Sequence, residues 1–172
     1  MYLATGMLLK RAQRGQLPLV EAVKKLQAEL LAGPSLSAGD PEEALVSNAK
    51  KCALLLLGSA YQKFLDKIEE QQEVLAGITD VAMNAYVMES VYLRAKRIKS
   101  PIAAAVSQVF LREAMGEIEI SARTVLAACA EGDALRTSMA ALKRFTKFEP
   151  VNSIELRHQI AARLLQAERY TL

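Results

Sequence analysis

DPEEALVSNAKKCALLLLGSAYQKFLDKI, residues 40–68, reads as one long helix, and its ends set the parsing of the whole chain. Asp40 is a good N-cap residue, and Pro41 at the first helical position loses nothing by lacking an N–H. Glu42 and Glu43 then set two carboxylates against the positive helix end. Further on, Ala53-Leu54-Leu55-Leu56-Leu57-Gly58-Ser59-Ala60 is apolar around most of the helix circumference, a pattern of segments enclosed by several neighbours. The small trio Gly58, Ser59 and Ala60 would let another helix approach closely. Lys63, Asp66 and Lys67 return the chain to water, and the helix is expected to run to about Ile68. Four polar residues, Glu69 to Gln72, predict a break or kink.

Outward from this helix the punctuation continues. Upstream, Leu17-Pro18 opens an amphipathic helix with the stripe Leu19, Val23, Leu26, Leu30; Gly33-Pro34 closes it and Ser35 to Gly39 reads as a loop. Downstream, Val74, Ile78, Val81, Ala85, Met88 and Tyr92 recur every three or four residues in a helix over about Gln71–Lys99. Ser100-Pro101 starts a fourth helix running to about Glu131. Its core candidates are Ile102, Val106, Val109, Phe110, Met115, Ile118, Ala122, Val125, Leu126 and Cys129. Gly132-Asp133 leads into a fifth, Ala134 to about Thr146. Asn152-Ser153 caps a sixth, Ile154 to about Gln166, after which the last residues are expected to fray. Helices of 28 to 30 residues would be about 45 Å long. The reading is an all-α antiparallel bundle of three long helices with shorter flanking helices. Its expected division is residues 1–39, an N-terminal segment with one helix and a loop, and residues 40–172, a single compact bundle.

Composition agrees. Of 172 residues, 28 are Ala and 25 Leu, both strong helix formers, and 52% are apolar while only 5% are aromatic. Eight Gly and five Pro are too few to punctuate a barrel or sandwich. A net charge of +3 and no Trp argue against a nucleic-acid partner. No secretory signal pattern opens the sequence, and its longest apolar run, Cys52 to Leu57, is far short of the ~20 residues of a membrane span. A cytoplasmic location is the expectation. Cys52 and Cys129 each sit in an apolar helical stretch and read as buried free thiols.

Chemistry is sparse. His158 is the single histidine, and no G-x-S-x-G, P-loop, G-x-G-x-x-G or C-x-x-C occurs, so triads, nucleotide cradles and zinc sites lack their parts. Glu155-Leu156-Arg157-His158 has the Glu-x-x-His spacing of carboxylate-bridged di-iron bundles, but without a second copy and on a short terminal helix. It reads as a solvated pair. Arg112, Glu113 and Glu117, and likewise Asp80, Glu89 and Arg94, read as polar helix faces. Arg94, Lys96, Arg97 and Lys99 suit the negative end of the third helix. Lys143, Arg144 and Lys147, interleaved with Phe145 and Phe148, are the candidate docking or membrane surface, with capping and solubility as the plainer explanation. No catalytic, cofactor-binding or metal residue is assigned.

Several extended patterns resemble one family. Gly6 to Ala12 leading into Leu17-Pro18-Leu19 resembles the segment after the catalytic core in bacterial acyl-CoA dehydrogenases of the very-long-chain type. Lys50-Lys51-Cys52 through Gln62-Lys63-Phe64 is similar to the first long helix of their extra C-terminal domain. Glu73 to Asp80, Tyr86 to Ser90 and Leu93-Arg94-Ala95 resemble the next helix; Glu131 to Arg136 and Pro150-Val151-Asn152 resemble the closing ones. The resemblance implies an FAD-dependent parent that oxidises acyl-CoA thioesters to enoyl-CoA and passes electrons to an electron-transfer flavoprotein. It also implies a catalytic glutamate in a motif upstream of this sequence, which nothing here matches.

The reading is therefore a non-catalytic C-terminal helical module of an acyl-CoA dehydrogenase, serving packing, dimerisation or docking in fatty-acid β-oxidation. It would hold no cofactor itself, the FAD belonging to the parent family. Its partner would be the catalytic core or a second copy of itself, with peripheral membrane contact also allowed. A free-standing helical scaffold or membrane-surface bundle is the alternative. On the first reading part of the apolar fraction forms a docking face, with Ala53 to Ala60 as its suggested source, and the isolated chain should dimerise or expose an apolar patch.

Overall fold

The computed structural model describes residues 6–7, 10–11, 14–32 and 39–170. Among these there are six α-helices and no strand. They are α1 (Leu19–Ala32), α2 (Pro41–Phe64), α3 (Gln72–Ile98), α4 (Pro101–Cys129), α5 (Gly132–Phe145) and α6 (Ser153–Ala167). The Gly33-Pro34 stop, most of the following loop, the end of the chain and part of the Gly6–Ala12 stretch lie outside the described residues.

Three helix starts follow their caps. Asp40 Oδ1 accepts from the Glu42 N–H at 3.1 Å, Ser100 Oγ from Ile102 at 3.2 Å, and Asn152 Oδ1 from Glu155 at 3.2 Å. The fifth start differs from expectation: α5 begins at Gly132 itself, at φ +56°, after Glu131, whose side chain makes no capping bond. The end of α2 differs too. It stops at Phe64 rather than near Ile68, because Leu65 turns to φ +46° and a six-residue 3-10 turn, Leu65–Glu70, follows. That turn carries Ile68, which is buried in the core.

α2, α3 and α4 pack on one another along their lengths. α3 runs antiparallel to α4, with Gly77 against Val125 and Asp80 and Asn84 beside Glu117 and Ser121. All six residues of the periodic stripe on α3 are buried, as are Met115, Ile118, Ala122, Val125, Leu126 and Cys129 on α4. α1 and α5 both lie along α2: Val23 meets Gly58, Lys51 pairs with Glu29, and Lys51 Nζ sits 5.8 Å from the centre of the Phe145 ring. α2 is therefore surrounded by α1, α3, α4 and α5, which explains why Ala53–Ala60 is apolar on every side. A Cβ on Gly58 would come within 3.0 Å of Val23 Cγ1, so the small residue does admit a close helix approach.

α6 covers the opposite side of α4. Ala105 and Val109 are buried on α4 but belong to no part of the main core cluster, and helical geometry turns them away from Leu111, Met115 and Ile118. The ion pair between Arg157 and Glu113 fixes the start of α6 over this face. Leu156, Ile160 and Leu164 form the half-buried inner stripe of α6, and no residue of that helix is fully buried.

Both cysteines are buried free thiols. Burial, with a smaller contribution from the Glu119 carboxylate, pushes the Cys52 thiol up to about 12, and burial raises Cys129 as well. Because the thiolate is the reactive species, native protein at pH 8 should react negligibly with Ellman's reagent and give two thiols after unfolding. Rapid native reaction of either would show a helix opening in the folded state.

Candidate functional site: an uncovered helix face and a polar junction

Several charged side chains hold helices together. At the junction of α2 and α3, Tyr92 Oη donates to Asp40 Oδ2 at 2.9 Å, lies 3.3 Å from Glu43 Oε2, and accepts from Lys96 Nζ at 2.9 Å. Partial burial raises the Asp40 carboxyl, but hydrogen bonds from Tyr92 and the Glu42 N–H, with the nearby Lys96 ammonium, hold it below its ordinary value. Burial raises the Tyr92 hydroxyl. Four polar side chains thus lock the N-cap of α2 to the last turns of α3.

This junction predicts a pH response. A carboxyl whose folded pKa lies below its unfolded value contributes stability above about pH 4, and that contribution is lost as pH falls through the folded value. Asp40→Asn keeps a capping side chain. Its deficit relative to wild type, expected to be under about 1 kcal/mol because the site is partly open to water, should therefore be present at pH 6.5 and shrink at pH 3. Thermal melts at the two pH values measure it; an unchanged deficit would contradict the assignment.

The other polar strips resolve similarly. Arg112 reaches Glu42 Oε1 at 3.3 Å, the Glu149 carbonyl at 3.0 Å and the Gln108 carbonyl at 3.0 Å, tying α4 to α2 and to the segment before α6. Lys50 pairs with Glu89, and Glu113 with Arg157. Glu155 accepts from Gln159 at 3.1 Å, and Glu155 and His158 are exposed on α6. Among the described residues no three His, Cys, Asp or Glu side chains gather into a metal-holding group.

The basic and aromatic cluster at the end of α5 is divided by the fold. Phe145 is only 2% exposed and belongs to the core, while Phe148 is half-buried against it. Arg144 lines a polar hollow of about 590 Å³ with Glu29, Asp40, Glu43, Ser47 and Asn48. Lys143 and Lys147 alone of the five are exposed. The aromatic rings thus face inward while the two lysines face water, because α5 presents Leu135, Met139, Leu142 and Phe145 to the bundle.

An apolar face remains, only partly where the sequence suggested it. Within Ala53–Ala60, Leu56, Leu57 and Ala60 are buried while Ala53, Leu54 and Leu55 are half-buried; four exposed large apolar residues are on α3. Met83, Tyr86, Val87 and Leu93 point outward, and Tyr86 is 72% exposed. Met83 and Val87 share a furrow of about 470 Å³ with Ile120 of α4, rimmed by Asp80, Asn84, Glu117 and Ser121. On the other flank, Tyr86 edges an apolar furrow of about 360 Å³ with Leu19, Ala53, Leu54, Leu57 and Ile78. These α3 residues lie outside the Val74-to-Tyr92 stripe, and that surplus was the sequence signal for a second apolar face.

Comparison with known proteins gives the class. The family model described as the acyl-CoA dehydrogenase C-terminal domain matches residues 48–144, and the chain belongs to that family. A probable acyl-CoA dehydrogenase of Bacillus subtilis (strain 168) is 36% identical over 175 aligned positions, covering 95% of this chain and 30% of the relative. The crystal structure of a Bacillus anthracis acyl-CoA dehydrogenase complexed with FAD superposes with a TM-score of 0.93 at 36% identity, over 99% of this chain and 31% of that one. The chain spans less than a third of either relative's length.

Proposed function

We propose that the chain is a non-catalytic helical module that packs on the flavin-bearing catalytic portion of an acyl-CoA dehydrogenase and supports its assembly, in fatty-acid oxidation of the very-long-chain type and in the cytoplasm. The observation that carries the reading is the near-complete superposition of the chain on about a third of an FAD-complexed enzyme, with polar clusters such as Tyr92–Asp40 and Arg112–Glu42 occupied in interhelical bonds. The FAD pocket and the acyl-CoA cleft then belong to the catalytic portion, and this chain contributes burial and rigidity. The exposed Lys143 and Lys147 at the end of α5 add a basic edge. Among the described residues no helix is long and apolar enough to cross a membrane, so any lipid contact would be peripheral.

Calorimetric titration of the chain into the catalytic portion of such an enzyme, purified with FAD, tests the reading. Binding with Kd in the micromolar range or tighter is the expected result; no heat at 100 µM contradicts it. Binding of anionic vesicles by the chain alone, lost in Lys143→Ala/Lys147→Ala, would instead favour the free-standing membrane-surface alternative.

A further inference from the structure

We infer that the outward side of α3, with the furrow it forms against α4, is the surface on which the catalytic portion seats; this rests on the docking reading above. α3 packs along α2 and α4, whereas α1 lies on α2, α5 on α2 and α4, and α6 on α4, so among the described residues no short helix packs along α3, which meets α1 only at Leu19. The bare side carries Met83, Tyr86, Val87 and Leu93, a helical spacing opposite to the buried stripe. α6 covers Ala105 and Val109 on α4 and leaves Ile120, about three to four turns further along that helix, 71% exposed. Ile120 thereby joins Met83 and Val87 in one apolar surface with a polar rim, the anatomy of a protein interface.

Three observations name the occupant. First, the family is a C-terminal domain, and both relatives hold more than two thirds of their length outside the matched part. Second, Lys10 sits 3.8 Å from Glu69, so the chain leading into α1 passes the 3-10 turn from which α3 rises. Asp80, at the near edge of the furrow, is about 12 Å along the helix from Gln72. A body joined upstream of Lys10 would be tethered near the root of this face. Third, the rim carboxylates Asp80 and Glu117 call for Lys or Arg at the edge of the partner's apolar patch, which sets register and on-rate.

The test titrates the full chain and three variants into the FAD-loaded catalytic portion. Met83→Glu and Ile120→Glu place a charge in the furrow; Leu165→Glu places one on the outer side of α6, where Leu165 is 78% exposed. All three positions are open to solvent, and thermal melts confirm that each variant folds. Met83→Gln and Ile120→Gln replace any variant that does not. The expected result is at least tenfold weaker binding for the two furrow variants and less than twofold for Leu165→Glu. Wild-type binding that survives both furrow substitutions, or that Leu165→Glu weakens equally, overturns this face and leaves the docking reading standing. No binding by the wild type overturns both.

Discussion

Phe145→Ala is expected to destabilise the chain by about 3–5 kcal/mol, the range for removing a fully buried aromatic ring. In a domain of this size that is roughly 10 °C in melting temperature. The ring is enclosed where α5 meets α2, and the Lys51 ammonium lies over it, so truncation removes packing and strands part of a cation–π contact. Phe148→Ala, acting on a half-buried ring, should cost clearly less. Melts followed by circular dichroism decide the matter. A loss below about 1 kcal/mol for Phe145→Ala would put the ring outside the core and restore an exposed aromatic surface at the end of α5.

Gly77→Val carries the second large effect. A Cβ on Gly77 would lie 2.6 Å from Val125 Cγ2, closer than carbon atoms come without displacement. Val125 is short, stiff and buried, so α3 and α4 must part to admit the new side chain. Overpacking of this kind costs about 1–3 kcal/mol. The diagnostic result is non-additivity: in a Val125→Ala background the obstruction is gone, and Gly77→Ala should there gain up to about 1 kcal/mol from helix propensity. Equal effects of Gly77→Ala in both backgrounds would show that the crossing is not limited by this contact.

These two residues also mark where the sequence was legible. Caps are local chemistry, so Asp40, Ser100 and Asn152 announced their helices, and the α3 stripe announced its buried face. Phe145 was obscured because three cations around it suggested a surface. The inward reading was nevertheless present in Leu135, Met139, Leu142 and Phe145, spaced four, three and three apart. Gly77 gave no signal at all, since its partner lies 48 positions away and a helical glycine reads locally only as a weak point. The end of α2 was missed for a related reason: the polar break signal starts only at Glu69, whereas the helix gives way at Leu65 to a 3-10 turn that buries Ile68, a tertiary effect.

The same distinction applies to the apolar face. Composition showed an excess of apolar residues, but the richest segment, Ala53–Ala60, lies on the helix that four others contact, and only Leu56, Leu57 and Ala60 of it are buried. The excess surfaced on α3 because the shorter helices were all committed to α2 and α4. Polar groups that might have suggested chemistry, such as Tyr92 with Asp40 and Lys96, or Arg112 with Glu42, instead fix the relative positions of the helices that present this face.

The most direct measurement of the central claim is hydroxyl-radical footprinting of the chain with and without the FAD-loaded catalytic portion. Met83 and Tyr86 are reactive side chains, 50% and 72% exposed in the isolated chain. A docking module that uses the outward side of α3 predicts that both become protected in the mixture while Tyr170, beyond the end of α6, stays as reactive as before. Unchanged reactivity at Met83 and Tyr86, with the two proteins mixed well above micromolar concentration, would contradict it.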